Sequence, residues 1–181
     1  MNKKDFAKYI DVFLDQNSKL NLISKNDEKY LWEKHIFDSL AIEKFFEKYF
    51  KEFPNCVTLL DIGTGGGFPS VPIALEYKNI EVYGLDSIRK KINAIENMKA
   101  ELGIKNLHTI CDRAENIKDK FDIITSRAVA KLDKIANYAL PLLKNGGYFV
   151  AYKSIKTQEE INDAKNILKK YKAEIIDVIE Y

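Results

Sequence analysis

The residues best suited to chemistry lie in one stretch, Leu59-Leu60-Asp61-Ile62-Gly63-Thr64-Gly65-Gly66-Gly67-Phe68-Pro69. A short apolar run from Val57 to Leu60 ends in an acid. Four glycines follow within five positions, and Pro69 then opens an apolar-periodic segment. This is a strand, a glycine-rich turn and a helix start, the first unit of a nucleotide-binding α/β sheet. Glycines permit backbone angles closed to other residues and let a ligand lie against the main chain. A tight strand-to-helix turn without a ligand is the bland alternative.

The spacing narrows the ligand. A dinucleotide fingerprint needs a third glycine where this chain has Phe68, whose bulk opposes close helix–strand packing. A phosphate-binding P-loop needs Lys and then Ser or Thr after the glycines, and neither follows. The string reads Asp-x-Gly-x-Gly-x-Gly from Asp61 to Gly67, which suits S-adenosyl-L-methionine (SAM), a ligand without a pyrophosphate. Its methionine part can lie on bare backbone at Gly63, Gly65 and Gly67, with Asp61 holding the ammonium group directly or through water. Asp86 ends the second apolar run, where an acid accepts from ribose hydroxyls and can also cap the next helix. The backbone of Ala114 and Glu115, after the third run, borders an adenine pocket in such a layout. Arg127, in Thr125-Ser126-Arg127-Ala128 after the fourth run, suits a phosphate, a carboxylate or a base edge, with a surface salt bridge as the bland reading. The Asn/Asp-Pro-Pro-aromatic string of adenine amino-methylating enzymes is absent there.

A sheet is needed to bring these residues together. Apolar patterning predicts strands over 57–61, 81–86, 107–111, 121–126 and 148–153, and a sixth over 173–181. Helices are predicted over 69–77, 88–102, 132–143 and 157–171, with Lys144-Asn145-Gly146-Gly147 as a turn before the fifth strand. Repeated strand–helix units predict an α/β fold with a doubly wound, mostly parallel sheet. Ahead of it, residues 4–18 carry Phe6, Tyr9, Ile10, Phe13 and Leu14 at helical spacing, and 27–51 repeat the pattern. Together they predict a helical N-terminal cap, closed by Phe53-Pro54-Asn55. One domain is expected, with 1–55 as cap and 56–181 as core.

The chain has 181 residues, 46% hydrophobic and 31% charged, as expected of a globular protein. Its net charge of +2 permits a nucleic-acid partner without the strongly basic signature of many. Cys56 and Cys111 lie far apart and give no metal-type spacing, so no metal is expected. No signal-peptide core or membrane-length apolar run is present, which predicts a cytoplasmic protein with no membrane partner.

Four strings, in order, resemble the RsmG/GidB family, the bacterial small-subunit rRNA guanine-N7 methyltransferases. They are Asn21-Leu22-Ile23 with His35-Ile36-Phe37-Asp38-Ser39-Leu40; Leu60 to Pro69; Ser126-Arg127-Ala128; and Ala151-Tyr152-Lys153-Ser154. The resemblance spans nearly the whole chain. It implies a class I SAM-dependent, Rossmann-like methyltransferase with SAM contacts at Gly63, Phe68, Ala114, Glu115 and Arg127. It implies as substrate a guanosine of 16S rRNA, methylated at N7, within the small ribosomal subunit or its precursor, with no obligate protein partner. The chain departs from the family at Gly66, where a proline is usual, which predicts a looser loop. Family members also continue past the sixth strand into an antiparallel one.

Guanine N7 has a lone pair and no proton, so attack on a sulfonium methyl needs no general base and catalysis is positioning. No catalytic residue is therefore certain. His35, Asp38 and Ser39 share about one helical turn and are positioning candidates; their bland reading is local backbone bonding and packing. Cation candidates for RNA are Arg89, Lys90, Lys91, Arg113, Lys131, Lys134, Lys153 and Lys156, with Lys153 expected at a phosphate or the target base. Competing readings are a SAM-dependent enzyme acting on a small molecule or protein, an NAD-binding oxidoreductase, and a non-catalytic binding module of the same fold.

Overall fold

The computed structural model describes residues 3–50, 56–153 and 157–181. The expected Phe53-Pro54-Asn55 turn, Ser154 and Lys156 lie outside the described residues.

The cap begins with a 3-10 turn at Lys3–Phe6 that runs into α1 (Ala7–Leu20). It continues through α2 (Lys25–Glu28), a π-helix at Leu31–Phe37, α3 (Asp38–Leu40) and α4 (Ile42–Tyr49). The helical region expected over 27–51 is thus broken into turns of different pitch. The wider π turn sets Leu31 and Ile36, five positions apart, into the same buried cluster. Ser24 starts α2 by accepting the Asp27 amide.

The core is one sheet of five parallel strands: β1 (Val57–Ile62), β2 (Ile80–Leu85), β3 (Leu107–Ile110), β4 (Phe121–Arg127) and β5 (Leu143–Tyr152). Their order is β3-β2-β1-β4-β5, so the chain reverses its direction of winding between β1 and β4. Ligands of such sheets bind outside the carboxyl ends of the strands at that reversal. Strand alternation divides the core. Val57 and Leu59 join the cap, α5 (Ser70–Glu76) and α6 (Arg89–Leu102) in one apolar cluster. Leu60 and Ile62 face α7 (Leu132–Ala139), α8 (Thr157–Asp163) and α9 (Lys165–Tyr171) in another. Gly103, left-handed at φ 66°, ends α6, and the next amide returns to Lys99 O.

Three sequence expectations change. Residues 144–147 form no turn before β5 but a loop bulged out of it: Phe121 pairs with Leu143, and Ile123 already pairs with Tyr148. Asp122, between them, accepts from Lys144 at 2.8 Å. The helix expected over 157–171 breaks at Ala164, which is wholly buried. The sixth strand is absent: 173–181 has a strand-like apolar pattern but is anchored by side chains to the cap instead of pairing with β5. Lys48 and Tyr49 hold Asp177 at 2.6 and 3.1 Å, and Lys44 reaches Glu180 O at 3.0 Å.

Candidate cofactor and methyl-transfer site

The loop after β1 is stitched to the end of β2. The amides of Gly63 and Thr64 both donate to Leu85 O, at 2.8 and 2.9 Å, and those of Gly67 and Phe68 fold back onto Thr64 O. Gly63, Gly65 and Gly67 have φ of 74°, 57° and 96°, the left-handed region that disfavours any side chain. A Cβ on Gly63 would stand 2.6 Å from Val129, which drapes over the loop from the far side of the crevice. Gly66 is not left-handed, and a Cβ there would meet Leu22 at 3.2 Å and Phe13 at 3.5 Å. At this position, where a looser loop is expected, the cap residues Leu22 and Phe13 stand close against the glycine.

Asp86 completes the loop. Its Oδ2 accepts the Gly65 amide at 3.0 Å and its Oδ1 the Ile88 amide at 2.9 Å, just before α6. The N-cap of α6 is Ile88, without a side-chain cap bond, so Asp86 ties the chain entering the helix and does not cap the helix itself; each oxygen keeps a lone pair for a ribose hydroxyl. The Ala114–Asn116 turn follows β3, tied by Asp112 Oδ1, which accepts from Arg113 N and Asn116 Nδ2 at 2.7 Å each. Glu115 is exposed and Ala114 half-buried beside this rim.

Asp61 sits fully buried beneath the loop. Thr125 donates to its Oδ1 at 3.0 Å, while Oδ2 has no partner at full hydrogen-bonding geometry and only the weaker pull of Thr64 and the Ser70 amide nearby. Burial pushes its pKa up to about 6, against the opposing pull of Thr64, Thr125 and Arg127. An orphaned carboxylate oxygen below a bare glycine backbone fits an ammonium group above it. The residues present thus suit the methionine end of SAM.

Phe68 is not turned to the crevice: its ring is buried in the cap, 5.0 Å from Phe13 and 5.1 Å from the His35 ring. What it offers a ligand is backbone. The Phe68-Pro69 peptide is cis. Arg127, at the end of β4, points into the cap. Its Nη1 donates to Asp38 Oδ2 at 2.7 Å and to Lys34 O at 3.0 Å, and its Nη2 lies 3.1 Å from His35 Nδ1. Burial and the adjacent Arg127 hold the His35 pKa below the usual histidine range. The structure thus brings His35, Asp38 and Arg127 together. Ser39 it assigns to the fold, since its hydroxyl donates to His35 O and its own carbonyl accepts from Tyr152 at 2.7 Å.

Lys153 differs most from its sequence reading. Its ammonium is engaged inside the protein, 2.7 Å from both Ala130 O and Glu160 Oε2, where it anchors the loop after β4. Arg89, Lys90, Arg113, Lys131 and Lys134 are exposed around the same ends of the strands, and Lys91 lies 3.8 Å from Asp86. Val129, Tyr181 and the carbonyl of Lys34 also shape the site, and no local sequence signal marks them; Tyr152 does too, from within the Ala151 to Ser154 string.

These features define a class I SAM-dependent methyltransferase, and structural neighbours agree on the fold. The ribosomal protein L11 methylase of Lactobacillus delbrueckii superposes with a TM-score of 0.61 at 18% identity, over 80% of this chain and 71% of that one. A SAM-dependent methyltransferase of Clostridium acetobutylicum gives 0.53 at 20% identity, over 69% and 53%. Sequence comparison is more specific. Residues 2–180 match the GidB family, rRNA small subunit methyltransferase G, and the chain belongs to that family. It is 38% identical to the Staphylococcus epidermidis ribosomal RNA small subunit methyltransferase G, over 90% of this chain and 68% of the relative. With the Clostridium botulinum enzyme it shares 34% identity, over 99% and 77%.

Proposed function

We propose that this protein transfers a methyl group from SAM to N7 of a guanosine in 16S rRNA, acting on the small ribosomal subunit or its precursor in the cytoplasm. The observation that carries the reading is the convergence at the β1–β4 reversal of a left-handed glycine loop, the orphaned Asp61 carboxylate and Arg127 under a docked cap. SAM supplies an electrophilic sulfonium methyl. The chain supplies placement, because N7 has no proton to remove. Backbone at Gly63, Gly65, Gly67 and Phe68 seats the methionine part, and Asp61 holds its ammonium. Asp86 holds the ribose, and Ala114 and Glu115 border the adenine. Arg127 borders the reacting centre from the end of β4, its guanidinium turned into the cap against His35 and Asp38. The cap (1–55) and core (56–181) act as one domain, and the exposed cations around the strand ends meet RNA phosphates.

The test is to map N7-methylguanosine in 16S rRNA from cells with and without the gene, then to restore the mark with purified protein and SAM. Loss of one N7-methylguanosine, restored in vitro on subunits or naked 16S rRNA, is expected. An unchanged methylation map overturns the substrate assignment.

A further inference from the structure

The π-helical segment and the start of α3 aim three acceptors of different kinds at one guanidinium. They are the carbonyl of Lys34, the imidazole Nδ1 of His35 and the carboxylate of Asp38, at 3.0, 3.1 and 2.7 Å from Arg127 nitrogens. Arginine only donates, so His35 Nδ1 carries no proton and the ring proton sits on Nε2. The Phe68 ring closes another side, 5.3 Å from the guanidinium carbon. The second oxygen of Asp38 is held too, by the Tyr181 hydroxyl at 2.7 Å. The Arg127 and Asp38 side chains are only 17% and 27% exposed, so their pairing is weakly screened. Arg127 is also the last residue of β4, one of the two strands that flank the reversal point.

We propose that Asp38 is a positioning residue: it fixes the Arg127 guanidinium at the cofactor crevice and so couples docking of the N-terminal cap to occupancy of that crevice. The inference rests on Arg127 serving the SAM site. The coupling runs both ways. A ligand that immobilises Arg127 immobilises the helix whose backbone and side chains Arg127 grips. Release of that helix frees the guanidinium to leave the position the ligand needs. Serving three acceptors from two nitrogens depends on the planar fork of arginine, which lysine does not reproduce.

The test uses the full chain and S-adenosylhomocysteine, which binds without reacting. Affinity is measured by calorimetry, and cap docking by amide hydrogen exchange over residues 31–40. The variants are Asp38→Asn, Arg127→Met and the double variant. Asp38→Asn is expected to weaken binding at least tenfold and speed exchange at 31–40, and ligand is expected no longer to slow it. In the Arg127→Met background, Asp38→Asn is expected to change affinity less than twofold, because Asp38 acts through Arg127. Asp38→Asn binding within twofold of wild type overturns the proposal, as do losses that simply add in the double variant. Should Asp38→Asn not fold, Arg127→Lys carries the exchange test: faster exchange at 31–40 without ligand supports the clamp, and an unchanged rate overturns it. If wild type fails to bind S-adenosylhomocysteine, the SAM reading itself falls, and exchange in ligand-free Asp38→Asn then decides the cap clamp separately.

Discussion

Thr125 on β4 donates to Asp61 on β1 at 3.0 Å, a buried bond across the two strands that flank the reversal of winding. It satisfies one carboxylate oxygen and leaves the other without a partner at full hydrogen-bonding geometry. Burial has raised the Asp61 pKa to about 6, so folding takes up a proton between the ordinary carboxylate range and that value. The associated stability is full below the unfolded pKa and is lost as pH rises through about 6. Asp61→Asn should therefore melt higher than wild type at pH 8, by an amount corresponding to a few kcal/mol at ~1.4 kcal/mol per pKa unit. The gain should shrink toward pH 4.5. Binding has the opposite sign. An ammonium ligand needs the ionised carboxylate, so wild-type affinity for S-adenosylhomocysteine should rise as pH increases through about 6. In Asp61→Asn it should be weaker and lose this component. Parallel pH profiles in the two proteins, by calorimetry, would exclude Asp61 as the ammonium partner.

Val129 packs directly against the backbone of Gly63. Gly63→Ala introduces a Cβ 2.6 Å from Val129 and forces alanine to φ 74°. A left-handed alanine alone costs about 1–2 kcal/mol, and the clash adds to it. Gly65→Ala meets nothing closer than the Gly63 carbonyl at 3.8 Å and should show only the backbone cost. Thermal melts should rank Gly63→Ala below Gly65→Ala. Adding Val129→Ala to Gly63→Ala should recover the steric share and not the backbone share. Equal losses in both single variants would show that Val129 does not constrain the loop.

How far the sequence reveals this site follows from which contacts are local. The glycine loop, Asp86 and the five core strands are legible because each has a short-range signal: four glycines in five positions, an acid after an apolar run, strand-to-helix alternation. The partners of Arg127 and Lys153 are not. Arg127 meets Lys34, His35 and Asp38 some ninety positions away, and that meeting depends on how the cap packs on the core. Lys153 reads as a free cation at a strand end because nothing in its neighbourhood announces that Glu160 returns to it from α8. The tail misleads for a related reason. Ile175, Ile176 and Val178 look like strand residues, yet side-chain bonds to α4 hold the segment against the cap.

Lys153 gives a prediction that separates two roles for one charge. Both its side chain and that of Glu160 are less than a quarter exposed, and Glu160 also accepts the Leu132 amide at 2.8 Å. Lys153→Met removes a charged hydrogen bond to Ala130 O and an ion pair, which should lower stability by about 1.5–3 kcal/mol. Because the ammonium points inward, the salt dependence of rRNA binding should keep its slope. Loss of a phosphate contact would reduce that slope by about one. Lys131→Met, which removes an exposed cation from the same loop, is the comparison expected to lower the slope. A reduced slope in Lys153→Met would restore this residue to the RNA interface.

Titration of His35 is expected to loosen cap docking in acid. Four charged groups act on it: Arg127 from β4, Asp27 from α2, and Lys34 and Asp38 from its own stretch of helix. Burial and Arg127 dominate and lower its pKa, so the folded protein favours the neutral ring. For a histidine whose folded pKa is depressed, the stabilising share is full above the unfolded value of about 6.5 and is lost as pH falls through the folded value. Protonation would also set a donor at Nδ1 against Arg127 Nη2, opening the contact now at 3.1 Å. Trp32, the only tryptophan, lies in the same π-helical segment between Phe6 and Phe37. Its emission should shift to the red, reversibly, as pH drops from 7 to 5. His35→Asn keeps an acceptor for Arg127 and cannot titrate, so its emission should stay flat over that range. If the two proteins give the same titration, the acid response belongs to another group and His35 does not gate the cap.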